Sequence, residues 1–181
     1  MNSVEYAASI CEDKYPHILE FGVYSGKTIS QIRNNLNGNF AIYGFDSFEG
    51  LPEDWENTPC HKGFFSTGGV APQLLEDIKL FVGWFEDTIP EYLKIAKPIS
   101  LLHIDCDLYS STKTVFDALH EYIKSGTIIV FDEWCYNQDP ERNDHEQKAF
   151  YEYVDDYNVK FKFVDFYDSE NWVERKIVKI L

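Results

Sequence analysis

The sequence predicts a three-layer α/β sandwich: a seven-stranded, mostly parallel sheet with helices on both faces and an antiparallel C-terminal hairpin. Apolar runs of strand length alternate with helical patterns along most of the 181 residues. The chain then closes on two alternating runs, VKFKFVDFY and VERKIVKIL, joined by the short polar link DSEN. A hydrophobic content of 44% with 17% aromatic residues is that of a folded chain and not of a disordered one. At this length a single domain spanning residues 1–181 is the simplest organisation.

The five parallel strands are expected at HILEF, FAIYGF, IKLFVG, ISLLHI and TIIVF. Each is a near-continuous apolar run, as in strands covered on both faces. Helices are expected near Lys27–Leu36, Ile89–Ile95, Ser111–Lys124 and His145–Tyr157. Between Leu51 and Gln73 lies a stretch rich in Gly, Pro and aromatics that is too long for an ordinary connection. Residues 51–73 read as a lid or substrate-side loop, with a plain surface excursion as the alternative.

The formal charge is -15, from 31 acidic against 16 basic residues. That balance repels phosphate backbones, so neither nucleic acid nor an anionic membrane surface is an expected partner. With no leader-like N-terminal stretch and no apolar run of spanning length, the expected location is the cytoplasm. Cys11, Cys60, Cys106 and Cys135 form no CxxC pair, which suits reduced thiols and neither a zinc site nor a disulfide framework.

The stretch GVYSGKT, directly after HILEF, looks like a phosphate-binding P-loop with IIVFDEW as its metal-holding strand. A P-loop keeps four residues between its first Gly and the Gly-Lys-[Ser/Thr]. Here Gly22 and Gly26 enclose three, Val23, Tyr24 and Ser25, and the register of the backbone N–H groups that would cradle a phosphate differs.

Ligands of open α/β sheets bind at the carboxyl ends of the strands, and this chain concentrates acids there. Glu20 closes the first strand, Asp46 follows the second, and Glu86 and Asp87 follow the third. Asp105 and Asp107 follow the fourth, and Asp132 with Glu133 ends the fifth. A carboxylate after the second strand suits two ribose hydroxyls, which fits adenosine or NAD equally. Bulk at Val23 and Tyr24, where a pyrophosphate loop keeps Gly, points toward S-adenosylmethionine (SAM) and away from NAD.

Asp105, Asp132 and Glu133 form a three-acid group. Two carboxylates a few ångströms apart repel by roughly 4 kcal/mol at an effective dielectric of 20. A hard divalent cation resolves the conflict, and oxygen donors without Cys suit Mg²⁺, with Ca²⁺ or Mn²⁺ as alternatives. Asp107 is then placed to act as general base on a substrate hydroxyl, or else to support or cap the following helix. His103, inside an apolar strand, reads as a hydrogen-bonded core residue, and His145 as a surface residue; neither is given a catalytic role.

Together, ILEFGVYSGKTI, YGFDSFEGLPEDW, KGFFSTGG, GWFEDTIPEYL, HIDCDLYSST and IIVFDEW resemble the macrocin O-methyltransferase family over about Pro16 to Tyr157. The resemblance implies a class I methyltransferase (Rossmann-like) fold, SAM as methyl donor, Mg²⁺ assistance, and a sugar or glycoside hydroxyl as acceptor. It implies cofactor contacts from Glu20, Gly22, Asp46 and the GWFED segment, metal ligands at Asp105, Asp132 and Glu133, and a base at Asp107. The full cofactor-binding set expected here is Glu20, Gly22, Val23, Tyr24, Ser25, Gly26, Asp46, Ser47, Gly83, Trp84, Phe85 and Asp105. Asp132-Glu133 stands where sugar methyltransferases carry paired aspartates. The short N-terminal segment leaves no region to cover the substrate, so a homo-oligomer is one way to supply that wall. The rivals are a P-loop-like NTPase and a non-catalytic module that keeps SAM or a nucleotide as a structural ligand.

Overall fold

A computed structural model describes residues 1–136, 144–170 and 173–181. The parallel strands are β1 (His17–Phe21), β2 (Ala41–Asp46), β3 (Ile78–Val82), β4 (Ile99–Ile104) and the start of β5 (Ile123–Tyr136). Three further strands follow, β6 (Phe161–Phe163), β7 (Asp168–Glu170) and β8 (Val173–Ile180). Along the sheet the order is β3-β2-β1-β4-β5-β8-β6, with β8 antiparallel to both neighbours and β7 paired to its start. The order reverses beside β1, and the chain crosses from β3 to β4 at that point. Loops on either side of such a switch diverge and open a crevice.

The helices are α1 (Ser3–Ile10), α2 (Lys27–Asn35), α3 (Phe85–Leu93), α4 (Tyr109–Leu119) and α5 (His145–Asp156). Alternation along the strands divides the core between two faces. Ile18, Leu101, Ile128 and Val130 pack with Ala7 of α1 and with Ile29 and Ile32 of α2. Leu19, Phe21, Leu102, Ile104, Ile129 and Phe131 pack with Tyr92, Phe116 and Phe150 of α3, α4 and α5. The three-layer expectation is met, and none of the described helices is long and apolar enough to cross a membrane.

Three local expectations are corrected. Helix α4 ends at Leu119, and Ile123 instead pairs with Ile99, because that register extends the β4–β5 ladder. Helix α3 starts at Phe85, so Glu86 and Asp87 lie in its first turn and not on the strand end. The C-terminal link DSEN is not a simple turn: Asp168–Glu170 pairs with β8, while Asn171 lies outside the described residues. The chain leaves the sheet after Phe163 so that Phe166 can stack on Tyr6 of α1, with ring centroids 4.4 Å apart.

Cys11 and Cys106 are buried, whereas Cys60 is half-buried in the 51–73 loop. Burial pushes the Cys106 thiol up and the Cys11 thiol to about 12, and only the thiolate attacks alkylating reagents. Peptide mapping after iodoacetamide treatment of the native protein is expected to find Cys60 modified, with Cys11 and Cys106 modified only after unfolding.

Candidate active site

A cleft of about 570 Å³ opens at the carboxyl ends of β1, β2, β4 and β5. The turn between β1 and α2 contributes Gly22, Val23, Tyr24 and Ser25 to its wall. Gly22 has φ +90°, and a Cβ there would lie 1.6 Å from the carbonyl oxygen of Asp105. Only glycine lets these two strand ends meet. Tyr24 also takes a left-handed conformation, at φ 46°. Asp46 holds it there: its Oδ2 accepts the Val23 and Tyr24 N–H groups at 2.8 and 2.7 Å, and its Oδ1 accepts the Phe48 N–H at 2.7 Å.

The amides that a phosphate would need are therefore already spent on a carboxylate. This is the geometry of an acid-braced turn and not of an anion cradle. Asp46 and Ser47 both line the cleft, and Trp84 and Phe85 add apolar surface to its wall. Gly26 and Gly83 lie outside the lining; Gly83 instead donates its N–H to the Asp46 carbonyl at 2.9 Å.

Glu20 is completely buried and does not reach the cleft surface. It is the register partner of His103 on β4; its Oε2 lies 2.9 Å from His103 Nδ1, and its Oε1 accepts the Thr28 hydroxyl at 3.0 Å. Burial raises its carboxyl above the usual range. His103 is also completely buried, as a core histidine should be.

Asp105, Asp107, Asp132 and Glu133 line the same cleft, Asp105 beside the Gly22 turn. Consecutive strand residues face opposite ways, yet Asp132 and Glu133 both line the cleft. A bulge explains it. From Phe131 to Cys135 the β5 strand advances four residues, while β8 retreats only two, from Lys176 to Glu174. Arg175 lies opposite this bulge, and its guanidinium grips both oxygens of Asp132, at 2.6 and 3.1 Å. Burial acts to raise Asp132, but this pairing more than offsets it and holds the carboxyl below its ordinary range.

Asp105 and Glu133 have no such help. Burial first, and then the charge of Asp132, pushes both well above the usual carboxylate range. Asp107 sits at φ 62° in a tight turn closed by the Leu108 N–H on the Cys106 carbonyl. Burial and the nearby Asp132 and Asp46 push it up to about 7. It does not cap α4, whose N-cap is Leu108.

Glu146, in the first turn of α5, drew no attention in the sequence. It is fully buried, and its Oε2 accepts the Glu133 N–H at 3.1 Å, so α5 pins the bulge. Among the described residues no lysine or arginine pairs with Asp105, Asp107, Glu133 or Glu146. Glu133 Oε2, Glu146 Oε1 and His103 Nε2 are buried without a hydrogen-bond partner. Carboxyl oxygens in excess of cations, with orphaned donor atoms among them, fit a divalent cation. The ligand atoms that lie mutually within 4.8 Å belong to His103, Asp105 and Asp132.

Gly50, Leu51, Pro52, Glu53 and Phe65 of the long loop also line the cleft. The loop is anchored by its own apolar cluster, in which Leu51 and Trp55 pack on Leu108. His145 is not on an open surface, because its ring packs edge-on against Trp55 at 5.9 Å.

Arg175→Met is expected to cost about 3 kcal/mol in urea unfolding, since Asp132 would stay buried without its counter-charge. The double variant with Asp132→Asn should recover most of that loss.

A methyltransferase-domain family model matches residues 19–134. A Streptomyces olivaceus 8-demethyl-8-(2,3-dimethoxy-alpha-L-rhamnosyl)-tetracenomycin-C 4'-O-methyltransferase is 24% identical over 158 residues, covering 75% of this chain. The chain spans only 60% of the length of that relative. The calicheamicin methyltransferase CalS11 superposes with a TM-score of 0.71 at 21% identity, over 98% of this chain and 76% of its own. The O-methyltransferase NovP also gives 0.71, at 19% identity over 97% and 78% of the two chains. A Bacillus cereus O-methyltransferase solved with SAH gives 0.64 at 14% identity, over 98% and 79%. These likenesses show the fold.

Proposed function

The chain belongs to the methyltransferase-domain family, and on that premise we propose that it transfers a methyl group from SAM to a hydroxyl of a sugar or glycoside, assisted by a divalent cation. The observation that carries this is one cleft lined by two chemically distinct sets of residues: a glycine turn with the aromatic side chains Trp84 and Phe85, and the acids Asp105, Asp107, Asp132 and Glu133. The sugar acceptor is supported by the 4'-O-methyltransferase activity of the Streptomyces olivaceus relative and by the aromatic and polar lining near Phe65 and Glu53.

When bound, SAM supplies a methyl group on a sulfonium, electrophilic without further activation. The Gly22 turn admits the cofactor close to the backbone, and Trp84 and Phe85 offer an apolar face to its adenosine. Asp105, Asp132 and Glu133 would hold a cation, Mg²⁺ in the simplest case, which would supply Lewis acidity that lowers the pKa of the acceptor hydroxyl. Each unit of that lowering is worth about 1.4 kcal/mol. Asp107, on the cleft wall, accepts the hydroxyl proton on a carboxylate oxygen. Loop residues Leu51–Glu53 and Phe65 exclude water and orient the acceptor.

Titration calorimetry with SAM, and separately with ATP, in Mg²⁺ and then EDTA, tests this reading. SAM binding without ATP binding, followed by methyl transfer to a member of a sugar and glycoside panel, is expected. ATP binding without SAM binding would overturn it. A P-loop is disfavoured because Asp46 already occupies the amides of Val23 and Tyr24.

A further inference from the structure

Glu20 and His103 are an ionisable pair completely buried in the central strands. They face each other in register on β1 and β4, where the surrounding positions are Ile, Leu and Phe. Removing a carboxyl and an imidazole from water costs several kcal/mol unless each polar atom finds a partner. Three of the four atoms do. Glu20 Oε1 accepts from Thr28, and Glu20 Oε2 lies 2.9 Å from His103 Nδ1. The fourth, His103 Nε2, has no partner.

In the tautomer with the ring proton on Nδ1, that N–H donates to Glu20 Oε2 and the bare lone pair of Nε2 points away from Glu20. The nearest carboxylate atom to that nitrogen is Asp132 Oδ1 at 3.9 Å, beyond hydrogen-bond reach and already taken by Arg175 at 2.6 Å. An electron pair facing two acids is repulsive as it stands, and becomes attractive if a cation lies between them. Among the described residues, one ring nitrogen of His103 and one oxygen each of Asp105 and Asp132 lie mutually within 4.8 Å, with Nε2 the nitrogen on the Asp132 side. Adjacent ligands on an ion with bonds of about 2.1 Å are about 3 Å apart, so modest side-chain adjustment closes the set.

We infer that His103 is a nitrogen ligand of the cation site, oriented by Glu20, and that the site accordingly selects a divalent transition ion such as Co²⁺ or Zn²⁺ over Mg²⁺. The inference rests on the metal-assisted reading above and changes its chemistry. A histidine whose far ring nitrogen is held by a carboxylate is the usual support of a metal-bound imidazole, because the carboxylate fixes the tautomer and makes the ligand more basic. Imidazole suits transition ions, whereas Mg²⁺ prefers oxygen and keeps its water. Thr28 completes the chain by fixing Glu20.

The test uses the purified full chain with metal chlorides alone. Calorimetric titration should show Co²⁺ binding at least about tenfold tighter than Mg²⁺. Pulsed EPR of the Mn²⁺-loaded wild type should show coupling to an imidazole nitrogen. His103→Gln should lose that coupling and the preference for Co²⁺, and Glu20→Gln should weaken Co²⁺ binding by about 10- to 100-fold. Because the EPR signal is read on the wild type, it decides the matter even if the buried variants fail to fold. Mg²⁺ and Co²⁺ binding alike, with no nitrogen coupling, would overturn the inference and leave an all-carboxylate site standing. No divalent ion bound by the wild type would overturn both.

Discussion

Asp105→Ala is expected to lower the rate of methyl transfer by at least about 10²-fold while leaving SAM affinity nearly unchanged. Asp105 lines the cleft with Asp132, so on the proposed mechanism its loss removes a cation ligand and leaves Trp84 and Phe85 in place. Stability separates this outcome from simple damage. Asp105 is held above its usual pKa by burial and by the charge of Asp132, so it stores repulsion in the metal-free protein. Metal-free Asp105→Ala should therefore unfold at a urea midpoint equal to or above that of the wild type. A fall of more than about 1 kcal/mol together with lost SAM binding would mean that the residue is structural.

Gly22→Ala is expected to be the most damaging small substitution in the chain, costing about 4 kcal/mol or more and abolishing SAM binding. The added Cβ would meet a backbone carbonyl at 1.6 Å, not the movable end of a side chain. Neither strand end is free to give way. Gly22 donates its N–H to the Phe45 carbonyl at 3.0 Å, and the Asp105 N–H is bonded to the Phe21 carbonyl at 2.9 Å. Gly68→Ala supplies the control. Gly68 also has positive φ, at +70°, but a Cβ there meets nothing within 4 Å, so only the conformational penalty of about 1 kcal/mol should appear. Urea unfolding of the two variants side by side measures the difference.

Much of the sheet was legible because parallel strands covered on both faces have no polar alternative. HILEF and ISLLHI read as strands residue for residue, since no other element buries five or six consecutive side chains. Helix α1 was not legible. Its eight residues are too few to show a period, and it is held by a capping box between Asn2 and Glu5 and by packing on α2. Ends of elements were misplaced where pairing partners decide them, as at Ile123, which looks like helix until Ile99 claims it.

At the site, strand polarity makes legible in the sequence that Glu20, Asp46, Asp105 and Asp107 gather at one sheet edge and that a glycine follows β1, because every parallel strand delivers its last residues to the same edge. It does not show that Glu86 and Asp87 belong to α3, or that Asp132 and Glu133 lie inside β5, which runs on to Tyr136. What these groups do there depends on contacts between elements. A two-residue bulge turns Asp132 and Glu133 to one side, Asp46 spends its carboxylate on the turn, and Glu20 withdraws to orient His103. Arg175 and Glu146 join from β8 and α5, elements far along the chain. Charge and hydrogen bonding act through space over a few ångströms, and residues that meet at that distance from separate strands and helices leave no spacing in the sequence to read.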